Sequence, residues 1–282
     1  MIRHVFGPTK REVPVVGQGT WNVPTRGSAA DDAKRAMRRG IELGMVHIDT
    51  AEMYGDGAAE RLAGEAIAGL PREQLFVVSK VLPSNASYDG TIRACEASLQ
   101  RMQLDYFDCY LLHWRGSIPL RETMRAMERL VSDGKIRSLG VSNFGVDDLE
   151  EARAALEREP IACNQLLYHL NERTIEAHEI PFCGAAGIAV VAYTPFGRGD
   201  YEDRAGVKTL EKIAASHGAT VRQVILAFLT RQAFVFTIPK AAKLAHVDEN
   251  AAAGDLQLDA RDIAAIDAAY PAHTRRGGVP TL

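Results

Sequence analysis

The chain has 282 residues, 46% of them hydrophobic and 24% charged, which excludes disordered, collagen-like and low-complexity readings. Thirty-three Lys and Arg against 36 Asp and Glu leave a net charge of −3, which argues against general binding to nucleic acid or to an anionic membrane. The length allows about two average domains, but an α/β barrel reaches it as one. The segment from Met1 to Glu12 carries Arg3, Lys10 and Arg11 with no apolar run behind them, so it is not read as a signal peptide. Cys95, Cys109, Cys163 and Cys183 form no C-x-x-C pair and read as reduced, buried thiols of a cytoplasmic protein.

At the start of the chain, His4–Phe6 and Arg11–Val13 flank Gly7–Pro8–Thr9–Lys10. This segment reads as a β-hairpin closing the bottom of a barrel, or as an irregular arm. Eight short apolar runs follow: Val15–Val16, Met45–Ile48, Leu75–Val78, Phe107–Leu112, Ile136–Val141, Ile161–Cys163, Ile188–Ala192 and Val235–Ile238. Most lack polar alternation, as expected of parallel strands covered on both faces. Helical patterns separate them. Ser28 with Asp31 resembles a capping box, and Gly44 and Gly69 sit where a glycine ends a helix. The stretch between Glu179 and Arg198 is uncharged, but Pro181, Gly184, Gly187 and Pro195 break it, so it reads as a helix end, a turn and a strand rather than a membrane span.

Strands alternating with helices indicate either a doubly wound sheet or a closed (β/α)8 TIM barrel, and the count of eight favours the barrel. The whole chain, 1–282, is read as one such domain. The polar residues that close the second to eighth runs are Asp49, Lys80, His113, Ser142 with Asn143, Gln165, Tyr193 and Lys240. Most are spaced by one βα unit, and the wider interval before Lys240 holds two helical patterns. In a barrel these positions converge on the face where barrel enzymes keep their active sites.

Several common chemistries are missing. Gly17–Gln18–Gly19, Gly55–Asp56–Gly57 and Gly197–Arg198–Gly199 lack the third glycine of a dinucleotide fingerprint, and Gly134–Lys135 is followed by Ile136, so no P-loop is present. Neither H-E-x-x-H nor G-x-S-x-G occurs, and no metal site is expected. The set Asp49, Tyr54, Lys80 and His113 remains. A lysine beside a carboxylate stays charged, and a tyrosine beside that ammonium is expected to have its pKa lowered and to serve as a proton donor. His113 would orient a substrate oxygen or share in the proton relay. Two other readings of the same residues stay open: Asp49–Lys80 as a plain interior ion pair, and Lys80 as a Schiff-base lysine, which an adjacent carboxylate disfavours.

These residues lie in stretches that resemble the aldo-keto reductase family. Gly44 to Gly55 (GMVHIDTAEMYG) is similar to its first signature. Leu104 to Trp114 (LDYFDCYLLHW) is similar to its strand-four motif, and Gly134 to Phe144 (GKIRSLGVSNF) to its strand-five motif. Gln165, Ala192 to Gly197 (AYTPFG) and Ile238–Pro239–Lys240 complete the series, so the resemblance covers nearly the whole chain. It implies a (β/α)8 barrel that binds NADPH without a Rossmann fold and reduces small aldehydes or ketones. Tyr54 would be the general acid, in a tetrad with Asp49, Lys80 and His113. Ser142, Asn143 and Gln165 would hold the nicotinamide carboxamide, with Tyr193 stacked on the ring. Phe196, Gly197, Arg198 and Gly199 would run along the pyrophosphate, and Thr194 and Pro195 would also contact the cofactor. Ile238, Pro239, Lys240, His246, Glu249 and Asn250 would surround the adenosine end.

Two positions depart from the family pattern. Ala241 stands where Ser or Thr is common, and His246 where NADPH-specific members often carry Arg. Both changes weaken the grip on a 2′-phosphate, so NADPH is expected to be preferred over NADH by a reduced margin. Trp21, Met53 and Trp114 are expected on the substrate wall. The short loops, including Trp114 to Pro119 with Arg115, and a brief tail after Tyr270 imply an open pocket for small aldehydes. The pattern also resembles bacterial reductases of methylglyoxal-like oxoaldehydes. The expected partner is a small carbonyl compound, and the expected state is a monomer. The alternative on the same fold is an NADP(H)-binding sensor or auxiliary subunit with little turnover.

Overall fold

Successive residues of a strand point to opposite faces, so a closed parallel barrel sorts each strand into an inward set and an outward set. The computed structural model describes residues 1–199, 206–274 and 278–282. Its central sheet runs β3 (Gln18–Gly19), β4 (His47–Asp49), β5 (Phe76–Val81), β6 (Cys109–Leu112), β7 (Leu139–Ser142), β8 (Ile161–Leu167), β9 (Ala189–Tyr193) and β10 (Val235–Thr237). The strands follow chain order and all pairings are parallel. The ring is closed between its first and last strands. Val16 bridges Thr237 in parallel, Gly17 N donates to Thr237 O at 2.8 Å, and Thr237 N donates to Val15 O at 2.8 Å. The (β/α)8 barrel is therefore present, with its first strand shifted from Val15–Val16 to Gln18–Gly19. Phe107 and Ile136 form an isolated bridge ahead of β6 and β7 rather than opening those strands.

Helices wrap the outside: α1 (Gly27–Glu42), α2 (Ala58–Ile67), α3 (Tyr88–Met102), α4 (Leu120–Ser132), α5 (Val146–Ala154), α6 (Glu179–Ala186), α7 (Val207–Ser216), α8 (Val221–Leu229), α9 (Leu244–Ala253) and α10 (Ala260–Ala269). Ser28 does not cap α1. The helix opens one residue earlier, at Gly27 with φ of 60°, after an N-cap Arg26 that makes no side-chain bond, and Asp31 pairs instead with Lys34 at 3.0 Å. Side-chain caps occur at Ser87 of α3 and in the capping boxes Thr220–Gln223 and Asp259–Asp262 of α8 and α10. None of the described helices is long and apolar enough to cross a membrane.

Three hydrophobic clusters are found among the described residues, the smallest around Val16, Met45 and Val247. The largest lies between strands and helices, where Val77, Tyr110, Leu112, Leu139, Val141 and Val190 meet Leu62, Leu99, Met127 and Phe228. The second fills the barrel with Phe76, Val78, Cys109, Leu111, Cys163, Val191 and Phe236. Gly140 on β7 belongs to that inner layer, because a Cβ there would come within 2.6 Å of Leu111 and 2.9 Å of the Cys163 sulfur. The hairpin reading of the N-terminus holds: β1 (Arg3–Val5) pairs antiparallel with β2 (Glu12–Pro14). Phe6, fully buried, plugs the barrel bottom against Phe76 and Phe236 at ring distances of 4.7 and 5.0 Å. Gly7, with φ of 51°, lets the turn approach Ala162, whose carbonyl oxygen would lie 2.2 Å from any Cβ.

His47 is the odd member of this apolar floor. Its ring stands edge-on to Phe6 and Phe76, and neither nitrogen has a hydrogen-bond partner among the described residues. Burial, with some help from the Lys80 charge, lowers its pKa from 6.5 to about 3. The unfolded chain thus takes up a proton near pH 6.5 that the folded chain refuses until about pH 3. Stability from neutral His47 is fully present above that window and is lost as pH falls through it. His47→Met, which keeps the volume apolar, is expected to flatten the fall of urea-unfolding free energy between neutral pH and about pH 4; an unchanged slope would assign the acid sensitivity to other groups.

Candidate active site

The inward period that places Phe76 and Val78 inside the barrel brings Lys80 to the top of β5. By the same alternation, Cys109 and Leu111 lead to His113, and Cys163 leads to Gln165. Apolar side chains fill the lower layers, so the last inward position of each strand meets the cavity at the barrel mouth. That cavity has a volume of about 1140 Å³. Asp49, Tyr54, His113, Ser142, Asn143, Gln165 and Tyr193 line it, and Lys80 lies beneath, fully buried.

The Lys80 ammonium organises the floor. Nζ donates to Asp49 Oδ1 at 2.6 Å, to the Thr50 carbonyl at 2.8 Å and, at a longer 3.4 Å, to the Tyr54 hydroxyl. Gln165 Nε2 donates to the other Asp49 oxygen at 2.8 Å, so both carboxylate oxygens accept and the ionised form is satisfied. Burial pulls the Lys80 pKa down, but Asp49 and Tyr54 more than offset it, and the lysine is held above its ordinary value. A neutral amine for Schiff-base attack is therefore disfavoured.

Tyr54 departs from expectation. Its pKa is raised, because burial outweighs the opposing pull of Lys80. The hydroxyl rests protonated, as a donor must, and the ammonium would favour the phenolate left after the proton departs. His113 packs edge-on to Tyr54 with ring centres 5.7 Å apart, and against Trp114 at 4.9 Å. Burial and the Lys80 charge lower its pKa to about 3, so the ring is neutral. Its Nδ1 is buried without a partner among the described residues, which leaves Nε2 to meet a ligand. A neutral imidazole suits orientation of an oxygen better than a relay through imidazolium.

Beside this floor, Tyr193 donates from its hydroxyl to Asn143 Oδ1 at 2.9 Å, Asn143 donates to the His113 carbonyl at 3.1 Å, and Ser142 Oγ donates to the Gln165 carbonyl at 2.9 Å. Asn22, Asn143, Thr194 and Arg198 all have left-handed backbone, with φ between 53° and 62°, and all line the cavity. Such strain in non-glycine residues concentrates where a surface is shaped for a ligand. Arg198 lies over the Trp21 ring at 5.2 Å and joins the loops after β9 and β3. Trp21, Met53 and Trp114 line the same mouth, as do Pro195, Phe196, Ile238 and Lys240.

Other expected residues are not on this wall. Pro239 accepts a hydrogen bond from Gly19 N at 3.2 Å, and Gly197, with φ of 53°, packs against His169. His246, Glu249 and Asn250 lie on α9, away from the cavity lining. His246 is exposed, and Glu249 is engaged by Thr220 at 2.7 Å and Arg222 at 3.1 Å. Asn250 is buried with an unpaired Oδ1 among the described residues.

The tail adds to the cavity wall. Gly278, Val279, Thr281 and Leu282 return to the cavity wall. Arg275, Arg276 and Gly277, also part of the expected tail, lie outside the described residues, as do residues 200–205 of the loop after β9. Thr20, Asn22 and Asp148 line the cavity without having been singled out. Position just after a strand end could have flagged Thr20 and Asn22. Nothing local marks Asp148 or the tail.

The aldo/keto reductase family model matches residues 15–271. The chain belongs to the aldo/keto reductase family. It is 45% identical to the methylglyoxal reductase YeaE of Escherichia coli strain K12, over 92% of each chain. It is 38% identical to the glyoxal reductase of Bacillus subtilis strain 168, over 91% of this chain and 89% of the relative. A crystal structure of an aldo-keto reductase from Klebsiella pneumoniae in complex with NADPH superposes with a TM-score of 0.92 at 41% identity, covering all of both chains. As an aldo/keto reductase, the chain is an oxidoreductase of carbonyl compounds, and no observation favours the non-catalytic alternative.

The buried Asp49–Lys80 pair makes a stability prediction. Asp49→Asn strands an ammonium in the barrel and is expected to cost about 3–5 kcal/mol in denaturant unfolding. Adding Lys80→Met should restore most of that loss. Additive losses in the double variant would mean that the two charges do not act as a unit.

Proposed function

We propose that this reductase uses NADPH to reduce small oxoaldehydes of the methylglyoxal and glyoxal type, with Tyr54 as the proton donor. The observation that carries the reading is the 3.4 Å approach of the Tyr54 hydroxyl to a fully buried ammonium, on a cavity wall shared with neutral His113. The named activities of the Escherichia coli and Bacillus relatives and the NADPH bound by the Klebsiella protein support it.

The cavity suits the dinucleotide in chemistry as well as size. At its centre, Ser142, Asn143 and Gln165 offer amide and hydroxyl groups, and Tyr193 supplies an aromatic face. Gln165 spends its amide nitrogen on Asp49, which leaves its oxygen free to accept from a carboxamide. Arg198 and Lys240 supply positive charge for the phosphates. For His246, Glu249 and Asn250 the support is the sequence resemblance, and the Glu249 contacts to Thr220 and Arg222 leave its carboxylate already partnered. NADPH is the expected preference, narrowed over NADH by Ala241 and His246. When bound, NADPH supplies the hydride to the carbonyl carbon.

Every other part of the reaction falls to the chain. His113 Nε2 and the Tyr54 hydroxyl fix the carbonyl oxygen, and Trp21, Met53 and Trp114 exclude water from the rest of the substrate. Tyr54 passes its proton to the oxygen as negative charge develops there. Lys80, held by Asp49, steadies the phenolate, an interaction stronger after transfer than before it. We further read the protein as a one-domain monomer of a reducing, cytoplasmic compartment. The supporting observation for the compartment is the four free, buried cysteines.

Tyr54→Phe should leave NADPH binding, read by cofactor fluorescence, within about twofold and lower methylglyoxal reduction by about 10²–10⁴. Undiminished turnover would remove Tyr54 as the acid. The pH profile follows from His113. With its pKa lowered to about 3, kcat/KM for the aldehyde should show no break near pH 6.5. A break there that disappears in His113→Asn would mean the imidazole titrates in its ordinary range.

A further inference from the structure

We propose that Arg115, Asp148 and Glu151 form a charge filter at the cavity mouth that turns away carboxylate-bearing substrates. The proposal rests on the carbonyl-reductase reading of this cavity and names the substrate class within it, uncharged aldehydes and oxoaldehydes.

Arg115 follows His113 and Trp114 on the loop after β6 and lines the cavity they line. An arginine so close to the reacting centre would ordinarily be an anchor for an acidic substrate, because its planar fork binds a carboxylate bidentately. Here one arm of that fork, Nη1, is already occupied. It donates to Asp148 Oδ1 at 3.1 Å and to Glu151 Oε2 at 2.7 Å, both on α5. Asp148 lines the cavity too. It sits in the first turn of α5, where the helix dipole favours an acid independently of Arg115.

One positive and two negative side chains leave the cluster with a net negative charge. Among the described residues, the other charges on the wall do not reverse this locally. Asp49 is neutralised by Lys80 at the floor, and Arg198 and Lys240 belong to the loops after β9 and β10, where the cofactor phosphates are proposed. An incoming carboxylate therefore meets an arginine whose Nη1 is held by two carboxylates, in a negative field. A neutral carbonyl compound meets neither obstacle.

The test compares butanal with 4-oxobutanoate, an aldehyde of the same chain length that carries a carboxylate. The readout is the ratio of kcat/KM for the anion to that for the neutral compound. The unsubstituted protein should favour butanal, and raising the ionic strength should shift the ratio toward the anion. Asp148→Asn with Glu151→Gln should free Arg115 and raise the ratio about three- to tenfold, chiefly through KM, as expected for partly exposed charges. Arg115→Gln should move the ratio the other way. A ratio unmoved in both variants overturns the filter, as does an equal loss on both substrates, which would mean that the cluster only positions the loop. If the unsubstituted protein reduced neither butanal nor methylglyoxal, the reductase reading itself would fall and the filter with it. Reduction of butanal with an unmoved ratio overturns the filter alone.

Discussion

A fully buried ammonium sets the terms for the top of this barrel. Desolvating Lys80 is tolerable only because acceptors surround it: a carboxylate, a backbone carbonyl and a phenol oxygen. Asp49 must in turn be desolvated, and Gln165 supplies the second donor that its carboxylate needs. The resulting chain of contacts crosses from β5 through β4 to β8, so strands distant in the sequence have fixed side-chain positions at one point. Tyr54 inherits its place from this arrangement. Its hydroxyl completes the coordination of the lysine, and the same contact gives the proposed phenolate its counter-charge.

The lower barrel makes such a floor affordable in structural terms. Phe6 seals the base, Phe76 and Phe236 fill the next space, and Gly140 makes room for Leu111 and Cys163 above. A dry interior keeps the Lys80–Asp49 attraction strong and keeps water from competing with it. His47 shows the cost of building in that interior. It is an imidazole with no partner for either nitrogen among the described residues, neutral because charging it there is too unfavourable. His113, two layers higher and at the cavity edge, is neutral for the same physical reason, and there neutrality is useful: the ring can face an uncharged oxygen without adding a second cation beside Lys80.

Much of this was legible in the sequence because barrel strands obey a strict alternation. Eight apolar runs, the second to eighth each closed by a polar residue, were enough to bring Asp49, Lys80, His113, Ser142, Gln165 and Tyr193 to one face. The errors fall where local pattern competes with tertiary packing. Val15–Val16 has stronger strand character than Gln18–Gly19, yet barrel closure against Thr237 sets the pairing. Ser28 has the chemistry of a cap, but Gly27 starts the helix first. The direction of the Tyr54 shift could not be read from neighbours alone, since it depends on how burial weighs against one nearby charge. The tail was the least legible part. Val279, Thr281 and Leu282 carry no pattern that predicts a return to the mouth, and only the folded chain brings them to Trp21 and Trp114.

Net charge was the coarsest of the sequence measures, because the cavity divides its charges by position. Arg198 and Lys240 stand on the loops after β9 and β10, while Asp148 stands on α5 with Arg115 turned toward it. In the proposed reading a dinucleotide brings its negative charge to the first region and presents a nearly neutral ring at Tyr193. In the same reading the substrate approaches over α5, where, among the described residues, Arg115 is paired with Asp148 and Glu151. Such a division lets one cavity hold a polyanionic cofactor and still discriminate against an anionic substrate, since within a Debye length of about 10 Å each charge acts mainly on its own end. Separating the two demands by distance is a simpler solution than tuning a single basic surface, which could not attract one anion without attracting the other.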